Sequence, residues 1–305
     1  MSFSLPKGSR TVLVGANGAG KSTLLKILGG RHMHDDSAVF VIGHNAFRAV
    51  GVLNHARQYL DPNWGLRTVA FAGCGVAYQA DIPIRSMMLK LQEEFPERRD
   101  MLMELLEIDP EWRMHKVSDG QRRRVQLFLA FLRPFSVLFL DEVTAVLDLL
   151  CRQRLLAFLK RECEEREVTM VYATHIFDGL DDWATHMLWL KKYPVAGTVG
   201  FYGQIETVPG WQELHAAGNV SPMLKVVETW FLAERAEQQA ARKEAAPGEV
   251  PADTKMLEEE GGENAIETKL TASNYGAGGY ASGRVMQTVT REGGGFDGGR
   301  MYNYW

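Results

Sequence analysis

The octapeptide GANGAGKS, Gly15 to Ser22, constrains this chain more than any other stretch. It follows the short β-rich apolar run Thr11-Val-Leu-Val14 and leads into the helix-forming TLLKILGG. Strand, glycine-rich loop, Lys-Ser and helix together form the arrangement that cradles nucleotide phosphates. The glycines let the backbone curl so that successive N–H groups point inward at phosphate oxygens. The helix start adds the positive end of its dipole. The candidate nucleotide-binding residues are therefore Gly15, Asn17, Gly18, Ala19, Gly20, Lys21, Ser22 and Thr23. Lys21 supplies a point charge between β- and γ-phosphates, and Ser22 offers its hydroxyl to Mg²⁺.

A second strand is expected at Val137-Leu-Phe-Leu140, an uninterrupted apolar run of the kind buried in a parallel sheet. It ends in Asp141-Glu142. Ligands of open α/β sheets gather at the carboxyl ends of strands. Asp141 is placed there to hold Mg²⁺, and Glu142 to polarise an attacking water. A surface Asp-Glu pair at a strand end is common, so the phosphate loop upstream carries much of this reading.

Ser118 with Gln121 three residues later is a capping-box pattern before the apolar run RRRVQLFLAFL. A helix start with Ser118 and Gly120 presents N–H groups and a positive dipole end to an anion.

These segments resemble the ATP-binding-cassette (ABC) ATPases. GANGAGKS matches the phosphate loop, VSDGQRRRVQL the LSGGQ signature and LFLDE the aspartate strand. TAVLD, ending at Asp148, resembles the D-loop; Thr174-His175 after VTMVYA resembles the switch-histidine loop; Gln79 in GVAYQADIP is the best match to the glutamine loop. Alternatives stay open for the weaker members. Asp148 can be only a helix cap, His175 is one of eight histidines, and Gln58 and Gln92 lie near Gln79. The resemblance spans roughly residues 3–205. It implies an α/β P-loop NTPase of ABC type: a parallel-sheet core, a small antiparallel edge sheet shortened at the front, and a compact helical insert at about 80–132. It implies ATP and Mg²⁺ as ligands, with Ser22, Gln79 and Asp141 on the metal and Lys21, Glu142 and His175 catalytic. It also implies that Ser118, Asp119, Gly120 and Gln121 act in trans. With no internal repeat, the single motif set implies a homodimer or pairing with a homologous ABC subunit.

Three departures stand out. Asp119 replaces the signature's first glycine, which brings a carboxylate near phosphate unless it points away. Only 14 residues precede Gly15, and Phe3 lies too close to be the family's adenine-stacking aromatic. Either upstream sequence is missing, or adenine is held otherwise. The insert, SMMLKLQEEF then RRDMLMELLEI, is short for a transport-coupled domain. VSDGQRRRVQL, this short insert and the tail together resemble the soluble stand-alone ABC proteins that fungi associate with the Ccr-Not complex and their plant class I relatives.

Composition separates the ends of the chain. Of 34 Lys+Arg and 38 Asp+Glu, 8 and 12 follow residue 232, so residues 1–232 are neutral and 233–305 carry the net −4. The expected body is 1–232. The tail, 233–305, opens with the helix-prone AERAEQQAARKEAA and becomes acidic and Gly-rich, as flexible segments are. Its aromatics, including Tyr280 and Trp305, can dock on the body or a partner. No apolar run reaches membrane-spanning length, and MSFSLPKGSR lacks a signal-peptide core. Cys74, Cys151 and Cys163 lack metal-site spacing. The expectation is a soluble cytoplasmic or nuclear regulatory ATPase, with a transporter subunit and a slowly turning scaffold as alternatives. No direct nucleic-acid binding is expected: Arg122, Arg123 and Arg124 open a signature helix and the body's charge is balanced. Glu162, Glu164, Glu165 and Glu167 read as a solvated helix face.

Overall fold

The computed structural model describes residues 3–35, 38–61, 68–71, 74–77, 81–219 and 221–244. Gln79 and the tail aromatics lie outside the described residues. The chain divides into two units, 1–241 and 242–305, and the described elements lie in the first apart from the last turn of the final helix.

In chain order, β1 (Arg10–Val14) leads to α1 (Lys21–Leu28), then β2 (Phe40–Val41), β3 (His44–Asn45), α2 (Val50–Leu53) and β4 (Arg57–Leu60). The hairpin strands β5 (Thr68–Phe71) and β6 (Cys74–Ala77) precede the insert helices α3 (Leu89–Glu94) and α4 (Pro96–Leu105). The signature helix α5 (Asp119–Phe131) runs into β7 (Val137–Asp141), followed by α6 (Leu149–Arg166), β8 (Thr169–Ala173), β9 (His186–Lys191) and β10 (Thr198–Gln204). Helices α7 (Trp211–Ala216) and α8 (Pro222–Glu244) complete the described chain.

Six strands form the main sheet in the order β10-β9-β1-β8-β7-β4. All neighbours are parallel except β10, which returns antiparallel along β9. The pairs β2–β3 and β5–β6 are separate antiparallel ribbons. Every residue of β1 and β7 is buried, as expected for strands covered on both faces.

Alternation along the strands divides the core. Val12, Val14, Leu138, Leu140, Met170 and Tyr172 pack with Val125 and Phe128 of α5 and Leu155 and Leu159 of α6. Leu13, Val137, Phe139, Val171 and Ala173 pack with Leu24, Leu25 and Leu28 of α1 on the other face. Phe128, Phe131 and Phe139 are almost fully buried, and each such burial stabilises by roughly 1.5–3 kcal/mol.

One sequence reading is corrected. Glu162 is only 7% exposed. It takes a bidentate pair from Arg98 of the insert, at 2.9 and 3.0 Å. Arg98 also donates to the Phe131 carbonyl and lies over the Phe135 and Phe158 rings. Charge periodicity marks Glu162 as surface, but the insert covers that face of α6. The position 232, where the tail was expected to begin, falls within α8, whose helix runs on to Glu244.

Candidate active site

The sheet register lines up the chemistry. Leu13 pairs with Ala173, and Ala173 with Asp141. The phosphate loop, the Asp141-Glu142 corner and the histidine loop therefore leave the same sheet edge from three adjacent strands.

The loop itself is held by close backbone approach. A Cβ on Gly15 would stand 2.6 Å from the Leu190 carbonyl oxygen. Gly18 and Gly20 have φ of 83° and 95°, a region that glycine enters without steric cost. Gly20 caps α1, and among the described residues no side-chain hydrogen bond caps this helix start. Ala19 is buried, whereas Asn17, Gly18, Ser22 and Thr23 are exposed along the open rim. Lys21 is buried and folds back, its Nζ donating to the carbonyls of Gly15 at 2.7 Å and Ala16 at 3.4 Å. Burial lowers its pKa, opposed by the charges of Glu142 and Asp141.

Asp141 is 1% exposed. Burial raises its pKa; a hydrogen bond from Ser22 opposes the rise, and Glu142 and Asp61 add to it. Its Oδ2 is buried without a hydrogen-bond partner. A hard oxygen donor left unsatisfied beside a hydroxyl fits a divalent cation, and Mg²⁺ takes such ligands.

Glu142 adopts a left-handed backbone with φ of 50°. Such positions persist where surrounding structure enforces them; here the Glu142 N–H donates to the Ala173 carbonyl at 2.9 Å. Its Oε1 lies 2.8 Å from Nε2 of His175. The histidine loop is pinned by Thr174 Oγ1, which accepts from the Ile176 N–H at 3.1 Å. Arg152 of α6 secures it further, donating to the carbonyls of Ile176 and Asp178 at 2.8 Å each.

The capping box at α5 is complete. Ser118 Oγ accepts from the Gln121 N–H, and Gln121 Oε1 accepts from the Ser118 N–H. That leaves the N–H groups of Asp119 and Gly120, which at a helix start have no intrahelical acceptor. Asp119 is 81% exposed at its side chain and ion-pairs with Arg122. Its carboxylate is thus engaged one turn along the helix. Arg123 donates to the Asp61 carbonyl, and Arg124 pairs with Glu107 and Asp148. All three signature arginines are bonded within the chain. Asp148 caps α6, accepting from the Cys151 N–H at 2.9 Å. That bond and the Arg124 guanidinium lower its pKa. Val146, Leu149 and Leu150 around it are exposed.

Among the alternatives to Gln79, Gln58 lies within β4 and Gln92 points inward, donating to the carbonyls of Ile84 and Met87. The sequence reading missed Asp61 and Arg152. Asp61 follows β4, whose Leu60 pairs with Leu140, so it lies beside Asp141. The signal for Asp61 was a carboxylate after the strand-ending Tyr59-Leu60, but no motif marks Arg152.

A parallel sheet with a phosphate loop on its first strand, a buried aspartate two strands away and an acid–histidine pair beside it defines a nucleoside-triphosphate hydrolase of the P-loop class. A family model described as "ABC transporter" matches residues 1–145. The chain is 41% identical over 291 residues to ABC transporter I family member 20 of Arabidopsis thaliana, covering 94% of this chain and 83% of that one. It is 38% identical over 213 residues to CCR4-associated factor 16 of Saccharomyces cerevisiae, covering 68% and 73%. A solved dimeric ATP-binding cassette in a post-hydrolysis state bound to ADP and Pi shares the fold with TM-score 0.52 at 18% identity, over 66% of this chain and 88% of the other. The chain belongs to the ATP-binding-cassette family and is an ABC-type ATPase. Among the described residues, no helix is long and apolar enough to cross a membrane.

Proposed function

We propose that this chain binds and hydrolyses MgATP at two composite sites of a head-to-tail homodimer, as a soluble, non-transport regulatory subunit. The observation that carries the reading is the contact between Glu142 and His175 on the sheet edge that bears Lys21 and Asp141. One chain supplies one phosphate loop and one exposed signature start, so a two-fold pair makes two reciprocal sites.

In each site the phosphate-loop N–H groups and Lys21 bind the polyphosphate. Lys21 must leave the Gly15 and Ala16 carbonyls to reach it. Ser22 and Asp141 hold Mg²⁺, and Gln79 is assigned to the same cation. Bound there, the ion neutralises charge on the phosphates. Glu142 accepts hydrogen bonds from the attacking water, and His175 orients Glu142 and reaches the γ-phosphate. Ser118 and Gly120 of the second copy close over that phosphate, Asp119 facing its own Arg122. Asp148 sits between the two copies. Positioning and charge stabilisation supply most of the rate.

The name of one relative, CCR4-associated factor 16, supports the biological role. A Ccr-Not-type complex in the cytoplasm or nucleus is the corresponding partner. The test is size measurement of the Glu142→Gln variant with and without MgATP. A stable dimer only with MgATP is expected, together with loss of hydrolysis. A monomer under both conditions contradicts the composite site. Co-purification of the same variant with membranes instead of soluble proteins contradicts the regulatory role.

A further inference from the structure

The hairpin joining β9 to β10 lies against the phosphate loop at three points. Leu190 approaches Gly15, Lys192 approaches Gly18 and Gly197 approaches Gly20. The middle contact is made by a charged side chain. A Cβ built on Gly18 would stand 3.5 Å from Cε and 3.6 Å from Nζ of Lys192. An ammonium group therefore rests beside the exposed rim of the loop, several residues from the buried Lys21.

Helix α8 fixes this arrangement. Glu234, 6% exposed, uses one carboxylate oxygen to accept from the N–H groups of both Lys192 and Tyr193, the latter at 2.8 Å. Trp230 stacks on Trp189 at 4.7 Å with the rings 10° apart. Glu237 pairs with Lys191 at 3.3 Å. Glu234 and Glu237 of α8 are thus committed to the hairpin backbone and to Lys191. The Lys192 side chain is directed to the loop.

A buried carboxylate is costly unless hydrogen-bonded. Two backbone donors supply such bonds, and they set the backbone at the residue whose side chain lies beside Gly18. The chemistry next to that side chain is a set of inward N–H groups and one further lysine. The shared ligand of such groups is a polyanion.

We propose that Lys192 is a second cationic residue of the nucleotide site, pairing with the polyphosphate of a nucleoside triphosphate, and that Glu234 is its positioning residue. The inference rests on the reading of Gly15 to Ser22 as the phosphate-binding loop. An exposed ammonium interacts through solvent, so its contribution is screened by salt.

The test is calorimetric titration of the full chain with MgATP and with inorganic tripolyphosphate at two salt concentrations. Variants are Lys192→Met, Lys192→Arg, Glu234→Ala, Glu234→Gln and Lys21→Ala. Lys192→Met is expected to weaken both ligands about tenfold at low salt and less at high salt, the loss of one charge-assisted contact. Its melting temperature without ligand should stay unchanged, because the side chain is exposed. Lys192→Arg and Glu234→Gln should bind as the parent does, since each keeps the charge or the acceptor. Glu234→Ala should reproduce the Lys192→Met loss. If Lys192→Met binds both ligands as the parent does while Lys21→Ala does not, the inference is overturned and the phosphate loop stands. If Lys192→Met weakens MgATP but not tripolyphosphate, the lysine does not act on phosphate and the inference is again overturned. If Lys21→Ala binds as the parent does, the loop reading itself fails.

Discussion

His175 places Nε2 2.8 Å from Oε1 of Glu142, and the two residues follow adjacent strands of the sheet. A carboxylate held by a ring N–H keeps its second oxygen free for a water. Removing the ring leaves the carboxylate unoriented. His175→Ala is expected to lower single-turnover hydrolysis by roughly 10²-fold and to leave ATP affinity within about threefold. Stopped-flow turnover beside equilibrium binding reads both. An equal loss in affinity and turnover would place His175 in binding instead.

Asp141 is buried with one oxygen unpaired, and burial raises its pKa above the ordinary 3.8. The native state therefore keeps this proton longer than the unfolded chain does. Its contribution to stability is greatest below 3.8 and is lost as pH rises through the raised value. Asp141→Asn removes the charge. The nucleotide-free variant is expected to gain about 1–2 kcal/mol at neutral pH, with its excess stability fading toward acid. Mg²⁺-dependent ATP binding should fall in the same variant. Chemical denaturation at several pH values, with and without Mg²⁺, checks both effects.

Arg152 ties α6 to the histidine loop through the Ile176 and Asp178 carbonyls. One turn earlier, Asp148 caps the same helix, and its carbonyl accepts from the Arg152 N–H. Arg152→Met leaves two carbonyls without their donors, which costs about 1–3 kcal/mol of stability. The kinetic expectation is a turnover about tenfold lower with KM unchanged, partly restored by Arg152→Lys. A purely structural role would lower stability and leave turnover per folded molecule intact.

Cys151 and Cys163 are both buried, and burial pushes their thiols up, Cys163 to about 12. Thiolate is the reactive form. Native-state alkylation at pH 8 is expected to be slower than in denaturant by at least about 10²-fold at both. Peptide mass spectrometry resolves the two sites.

Local signals in the sequence announce the strand–loop–helix at Gly15 to Ser22, the buried strand ending at Asp141 and the capping box of α5. Each depends on residues close in the chain: glycine geometry, an apolar run, a serine three residues from a glutamine. What was not legible depends on distant parts meeting. Glu162 reads as solvated until the insert brings Arg98 to it. Charge balance places a boundary at 232, but α8 runs on to Glu244, and Glu234 and Glu237 beyond that point find partners on β9 and its turn. Asp148 reads as a cap or as a D-loop; it caps α6 and pairs with the signature helix at once. The left-handed backbone of Glu142 has no sequence mark, and its N–H is held by the Ala173 carbonyl on a neighbouring strand distant in the chain.

The central claim is that one copy's phosphate loop works with the other's signature start. The direct measurement is ATPase activity in a mixture of Lys21→Ala and Ser118→Arg chains. Each variant alone has no intact site. Random hybrids of the two contain one complete site, so the account predicts that mixing restores about a quarter of the parent activity. A mixture no more active than its separate components would contradict it.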